Sequence, residues 1–90
     1  MRLDKFLKVT QLIKRRSVAQ EASKEGFIFV NGKKAKPSST LKKGDIILMD
    51  LWNYKKEIEI INIPEKNTIK KQDLENYIKI IHYETKNTEI

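Results

Sequence analysis

The stretch IKRRSVAQEASKEGFIFVNGKK, Ile13 to Lys34, decides the fold because it carries a helix start, a helix stop and a hairpin signal in succession. Ser17 occupies a typical N-cap position, and Gln20 stands three residues later, where a capping box places its second side chain. Gly26 is the expected helix stop. Asn31-Gly32 is a strong signal for a two-residue β-turn. The stretch therefore predicts a helix between Ser17 and Gly26, followed by a β-hairpin.

Three cations, Lys14, Arg15 and Arg16, stand directly before the expected cap, at the helix end that already carries a positive partial charge. Each such cation costs roughly 0.3 to 1 kcal/mol, and less when it is exposed or screened by salt. A helix N-terminus also presents free amide hydrogens to anions, and arginine is a planar, bidentate donor to phosphate. The charge placement predicts that this turn binds phosphate and that some stability is given up for binding.

Upstream of this turn, apolar and small residues recur at helical spacing, in Leu3, Phe6, Leu7 and Thr10. The opposite side of that helix is basic and carries Arg2, Lys5 and Lys8. We expect Asp4 to pair with Lys8 or with a nearby arginine and not to act as a catalytic base. The second helix has a face of small residues, Val18, Ala19 and Ala22, which permits close packing against the first. The two helices are predicted to form a hairpin.

Downstream of the hairpin signal, the turn KKGD is followed by a strand from Ile46 to Met49, and KEIEIINI alternates as a further strand. Phe27 and Phe29 flank the first strand residue and are expected in the core. The segment from Lys71 onward fits either a helix or a strand, and we favour a short helix. The predicted fold class is α+β, with a two-helix hairpin packed on a small, mostly antiparallel sheet and a short C-terminal helix.

Composition narrows the classes of protein. At 90 residues the chain predicts a single domain, over 1–84, with a frayed tail at 85–90. The chain contains no cysteine and one histidine, His82, so neither a disulfide nor a metal site is expected. No signal peptide or membrane span is evident, and a cytoplasmic protein is expected. The net charge is +7, and the segment up to Asp45 contains 12 basic against 4 acidic residues. Such segregation is typical of a surface that binds a polyanion.

RLDKFLK and the following IKRRSVAQEASKEGFIFVNGKKAKPSSTLKKGDII together resemble the S-four RNA-binding domain, also called the alpha-L RNA-binding motif. The resemblance is closest to the small ribosome-associated YabO/RqcP group and to the ribosome-associated heat-shock S-four protein. It rests on the linked order of several elements: the Arg2–Lys5 opening, the basic turn before a Ser cap, the Gly26 stop, the Asn31-Gly32 hairpin, Lys36-Pro37-Ser38 and Gly44-Asp45. The long basic C-terminal extension of the heat-shock member is missing, so functions that depend on that tail are not carried over.

The resemblance implies that the helical hairpin and the adjoining loops lie on folded RNA, where they contact the phosphate backbone and not the base sequence. Lys24 is interpreted as a solvated charge. Trp52 and Tyr54 could stack on bases, pack, or stand exposed in a turn. The residues expected to bind RNA are Arg2, Lys5, Lys8, Lys14, Arg15, Arg16, Lys33, Lys34, Lys36, Ser38, Lys42 and Lys43.

The function implied by the resemblance is binding to large ribosomal subunit RNA, with peptidyl-tRNA as a further partner, on ribosomes that carry a stalled chain. The expected protein partner is the quality-control factor that extends such chains with alanine. No membrane partner, cofactor or metal is expected, and the chain is expected to be a monomer. The alternatives are an RNA-modifying enzyme such as a pseudouridine synthase, whose catalytic domain is missing here, and a nucleoid-type or rRNA-maturation factor.

Overall fold

The computed structural model describes residues 1–86 as an α+β fold in which two helices pack on one face of a five-stranded antiparallel sheet. The helices are α1 (Leu3–Val9) and α2 (Arg16–Lys24), with a later 3-10 helix at Lys71–Asn76. The strands are β1 (Ile28–Val30), β2 (Lys33–Lys34), β3 (Ile46–Asp50), β4 (Tyr54–Ile60) and β5 (Ile78–Thr85). Their order across the sheet is β2-β1-β3-β4-β5. The predicted fold class is confirmed, and no helix in the described residues is long and apolar enough to cross a membrane.

The α1 helix buries the face that its periodicity predicts. The side chains of Leu3, Phe6 and Leu7 are fully buried, and the Thr10 hydroxyl donates a 2.7 Å hydrogen bond to the Phe6 carbonyl at the end of the helix. The first turn of α1 has no side-chain cap. Its amides are instead satisfied by the loop after β2, because the Leu3 amide donates to the Ser39 carbonyl at 2.8 Å. The loop is thereby held against the start of α1.

The expected N-cap at Ser17 is wrong. Helix α2 begins at Arg16, and the N-cap residue is Arg15, with extended backbone angles (φ −118°, ψ 133°) and no side-chain cap bond. Gln20, the expected second member of the capping box, donates instead to Asp4 on α1 at 2.9 Å. Because Arg16 also contacts Asp4, contacts between the helices fix the first turn of α2, where the prediction had relied on a local hydroxyl.

The expected stop at Gly26 is confirmed. Gly26 has φ +83°, a left-handed conformation that favours glycine. Its amide donates to the Ser23 carbonyl at 3.1 Å, and the Phe27 amide donates to the Ala22 carbonyl at 3.0 Å. These two bonds form a Schellman motif, which closes the last turn of α2 and directs the chain into β1.

The Asn31-Gly32 hairpin is also confirmed, with positive φ at both residues (52° and 83°), as a type I′ turn requires. The Asn31 side chain reaches the turn before β3, where it donates to Asp45 at 3.1 Å and accepts from the Ile46 amide at 2.9 Å. The Lys42 amide donates to the other Asp45 oxygen at 2.9 Å. The Asn31-Gly32 and KKGD turns, predicted separately from the sequence, are therefore hydrogen-bonded to each other.

The core position expected for Phe27 and Phe29 is wrong. Ile28, between them, is fully buried and pairs with the buried Met49 on β3, so this residue points towards the helices. Side chains alternate along a strand, and Phe27 and Phe29 therefore point away from the core. Phe27 is exposed and Phe29 is half-buried. The sequence pattern predicted the strand correctly but assigned Phe27 and Phe29 to the wrong face of the sheet.

The C-terminal segment contains both of the structures between which the sequence left a choice. The favoured short helix is present as the 3-10 helix Lys71–Asn76, and the strand pattern is realised in β5, Ile78–Thr85. β5 pairs with β4 along its whole length. The expected frayed tail covers residues 85–90. Thr85 is instead the last residue of β5, and the Lys86 amide donates to the Asn53 carbonyl at 3.0 Å. Residues 87–90 lie outside the described residues.

Candidate nucleic-acid interface

A buried carboxylate joins the two helices at the centre of the basic surface. The Asp4 side chain has no solvent exposure, and it accepts from Arg2 Nε and Nη2 at 3.2 Å each. From α2, Arg16 approaches it with Nε at 3.3 Å and Nη2 at 3.4 Å, and Gln20 Nε2 donates at 2.9 Å. The Lys5 amide donates at 2.8 Å. The expected pairing of Asp4 with a nearby arginine is confirmed, and two arginines share the carboxylate.

The charge on Asp4 is stabilised by these donors. Burial alone acts to raise the pKa of the Asp4 carboxyl. Hydrogen bonds from Gln20, from Arg16, from the Lys5 amide and from Arg2 outweigh that effect, and the pKa lies below its ordinary value of 3.8. Asp4 is therefore ionised at neutral pH and offsets part of the positive charge at the start of α2.

The two guanidinium groups are held in the same way. Arg2 and Arg16 both direct Nε and Nη2 at Asp4, and within the described residues the Nη1 amino group of each makes no hydrogen bond. Their side chains are 50% and 45% exposed, respectively. The buried carboxylate thus fixes one edge of each guanidinium and leaves the other edge available to solvent or to an anion. A phosphate group is one of the anions whose geometry this edge fits.

A cleft of about 640 Å³ continues the basic surface from Arg2 towards β2. It lies between the C-terminal half of α2 and the loop that follows β2, and it includes one acid, Glu25. Four cations line it: Arg2, Lys24, Lys34 and Lys36. Ser38 lines the same cleft. The structure therefore brings together four of the residues expected to bind RNA, Arg2, Lys34, Lys36 and Ser38, and adds Lys24, which sequence reasoning had left as a solvated charge.

The remaining expected residues lie around this centre. Lys8 is exposed in the last turn of α1, and Lys5 is half-buried beside Asp4. Arg15 is exposed at the N-cap of α2, and Lys14 lines a separate, mostly apolar groove with Val18 and Trp52. The two lysines Lys42 and Lys43 are exposed in the turn that Asn31 binds through Asp45, next to the hairpin that leads to Lys33. Contact of these residues with RNA remains a prediction.

Sequence reasoning missed the role of Gln20. Because Arg16 and Gln20 are four residues apart, they lie on the same face of α2, and this face meets Asp4. The i, i+4 spacing was a signal for this arrangement, but assignment of Gln20 to a capping box concealed it. Gln20 occupies one of the Asp4 oxygens with a neutral donor and so fixes the carboxylate between the two arginines.

The structure shows the surroundings of Trp52 and Tyr54, the two aromatic residues whose role the sequence left open. Trp52 is 73% exposed in the turn between β3 and β4, so it does not belong to the core. The Tyr54 ring lies 5.9 Å from that of Tyr83, and Lys56 Nζ lies between 5 and 6 Å from the centre of each ring. His82 contacts Glu84 at 2.9 Å. The described residues contain no group of three or more potential metal ligands.

The chain is similar to a known family and to named relatives. The family model of the S4 domain matches residues 1–47, which include α1, α2 and the β-hairpin. The chain is 41% identical over 85 residues to the RQC P-site tRNA stabilizing factor of Bacillus subtilis, covering 93% of this chain and 95% of that protein. It is 44% identical over 73 residues to the factor of the same name from Halalkalibacterium halodurans, covering 81% of each chain.

Two solved structures share the fold. One is the trimeric structure of heat shock protein 15 from Vibrio cholerae, with a TM-score of 0.78 and 27% identity, covering 89% of this chain and 80% of that one. The other is the solution structure of a hypothetical protein, HP1423, with a TM-score of 0.78 and 34% identity, covering 93% of this chain and all of that one. The S4 match over half of the chain and the identity to curated relatives over most of its length show that the chain belongs to the S4-domain family of RQC P-site tRNA stabilizing factors.

Proposed function

We propose that this protein binds ribosomal RNA on large ribosomal subunits that carry a stalled nascent chain, and that it contacts and holds the peptidyl-tRNA there. The names of its relatives support a role at the P-site tRNA in ribosome-associated quality control. By holding the tRNA in place, the protein supports the factor that extends the stalled chain with alanine. From these proposed partners we infer a location in the cytoplasm.

The observation that carries the proposal is the pair of arginines on Asp4. A flexible arginine loses side-chain entropy when it binds a phosphate, whereas Arg2 and Arg16 are already held by a buried carboxylate. Each keeps an exposed amino edge for phosphate oxygens. The adjoining cleft adds Lys34 and Lys36, so that a phosphate backbone can run from the helical hairpin to the β2 edge. Contacts of this kind recognise the shape of folded RNA.

The proposed action is binding and positioning, with no chemical step. The ionised carboxylate of Asp4 is enclosed by donors, which leaves it no access to a substrate proton. The side chains around Asp4 are the two cations Arg2 and Arg16 and the amide donor Gln20, which suit an anionic ligand. An RNA-modifying enzyme would show turnover on ribosomal or transfer RNA, and we expect none from the isolated protein.

Sedimentation of a lysate through a sucrose gradient tests the proposal. We expect the protein to travel with large subunits, more so after translation stress, and Arg2→Ala and Arg16→Ala to release it into the soluble fraction. Lys71→Ala is the matched control, because it removes one exposed cation at the start of the 3-10 helix, beside β5. A wild-type protein that stays wholly in the soluble fraction at low and moderate salt would contradict the proposal. Tighter binding to duplex DNA than to large-subunit RNA would favour the nucleoid-type alternative.

A further inference from the structure

Strand β5 forms an open edge of the sheet. The order β2-β1-β3-β4-β5 places it at the end, and in residues 1–86 no strand pairs with its outer side. Every residue from Lys79 to Lys86 is exposed, and three of them are large and apolar or aromatic: Ile80 (55%), Ile81 (47%) and Tyr83 (52%). The outward-facing backbone groups of this eight-residue strand have no partner strand within residues 1–86, and together with the exposed apolar side chains they can accept another strand.

A bulge in β5 changes which side chains share a face. Ile80 is opposite Ile58 on β4, but His82 is opposite Glu57, and Ile81 has no partner. The alternation of side chains is therefore shifted by one residue within the strand. As a result, Ile80 and Tyr83 lie on the face that carries the core, although they are three residues apart.

On the opposite face, the same shift places Lys79 and Glu84 together with His82, since these are the partners of Glu59, Lys55 and Glu57 on β4. Each face thus carries residues at matched distances from the midpoint between Ile81 and His82. Ile80 directly precedes Ile81 and Tyr83 directly follows His82, both on the core face, and Lys79 and Glu84 lie one residue further out on the opposite face. Two copies of β5 placed antiparallel therefore bring complementary side chains opposite each other.

We propose that β5 pairs antiparallel with β5 of a second copy of this chain, about a two-fold axis between Ile81 and His82. In this register Ile80 lies opposite Tyr83 of the second copy, and Lys79 lies opposite Glu84 of the second copy. Both contacts occur twice, because the axis relates them. Without the bulge, residues opposite each other in this register would point to different faces, and neither contact would form. An aromatic–aliphatic pair and an opposite-charge pair are favourable cross-strand neighbours.

The pairing leaves the proposed nucleic-acid interface open. β2, with Lys33 and Lys34, lies at the other edge of the sheet, four strands away from the β5 edge. A dimer would therefore carry one basic surface at each end of a continuous ten-stranded sheet. Because one eight-residue ladder makes a small interface, the association is expected to be weak and to depend on concentration. For the free protein at high concentration, we therefore propose a dimer in place of the expected monomer.

Sedimentation equilibrium from about 1 μM to about 1 mM, without RNA, tests the proposal through charge exchange. We expect the wild type to dimerise, and Lys79→Glu or Glu84→Lys alone to weaken dimerisation by about ten-fold or more, since each places like charges opposite each other twice. The double variant K79E/E84K restores the attractive pairs and dimerises like the wild type. An equimolar mixture of the two single variants forms heterodimers more strongly than either variant forms homodimers.

The mixture keeps the test independent of folding defects, because a variant that fails to fold cannot gain affinity for another variant. A wild type that remains monomeric throughout the range overturns the proposal. So do single variants that dimerise as tightly as the wild type, or a mixture with no preference for the heterodimer. None of these three results depends on RNA binding, so the proposed function is tested separately.

Discussion

Asp4→Asn is the substitution that tests the centre of the interface most directly. The new side chain has the same shape, but it loses the charge and presents an amide donor to guanidinium groups that are themselves donors. Hydrogen bonds that involve a charged group contribute roughly 1.5 to 3 kcal/mol each, and removing one partner of a buried ion pair costs about 3 to 5 kcal/mol. Arg2 and Arg16 are about half exposed and can regain water. We therefore expect a loss of about 2 to 4 kcal/mol in the free energy of unfolding.

The assay is urea unfolding followed by circular dichroism, with Asp73→Asn in the 3-10 helix as the matched control, expected to change stability by under about 0.5 kcal/mol. The effect of Asp4→Asn should also depend on pH. The folded pKa of Asp4 lies below 3.8, so its contribution is present above that pH and is lost as the pH falls through the folded pKa. The stability difference between wild type and Asp4→Asn should narrow below pH 3.8. A difference under about 0.5 kcal/mol at neutral pH, or one that does not change in acid, would refute the reasoning.

Three further variants separate binding from folding. Arg15→Ala should leave the melting temperature unchanged, weaken RNA binding and lower the log–log salt slope by roughly 0.7 to 0.9; an unchanged slope would show that Arg15 does not touch phosphate. Ser17→Ala should change the free energy of unfolding by under about 0.5 kcal/mol, because Ser17 lies inside α2; a loss above about 1 kcal/mol in urea would restore it as a cap. Gly26→Ala should lower the free energy of unfolding by about 1 to 2 kcal/mol, because φ is +83° at this position. A variant as stable as the wild type in urea would contradict the assignment of Gly26 as the Schellman stop.

The elements predicted correctly from the sequence are those whose signals are local. The Asn31-Gly32 turn and the Gly26 stop each depend on a residue that tolerates positive φ, and the burial of α1 depends on a spacing within one helix. These signals act within a few residues, and tertiary contacts left them unchanged. The α+β fold class followed from their order along the chain.

The sequence failed where a residue distant along the chain determines the local structure. Ser17 was the expected N-cap of α2, but the helix begins earlier, at Arg16, whose side chain contacts Asp4 on the other helix. The face of β1 was decided by its register with β3, where Ile28 meets Met49. The strand at 78–85 needed β4 as a partner, which periodicity within the segment does not reveal.

The buried Asp4 also answers why three cations precede α2. A carboxylate between the helices lowers the local repulsion, and because Arg16 is one of its donors, the residue that offers an edge to phosphate also holds α1 against α2. We therefore expect stability and RNA affinity to be coupled at Arg16 and separate at Arg15, whose side chain makes no such bond within the described residues. An Arg16→Ala phenotype taken alone does not distinguish lost phosphate contact from a loosened helical hairpin. Comparison with Arg15→Ala at equal concentrations of folded protein does distinguish them, because only a loosened hairpin lowers the melting temperature.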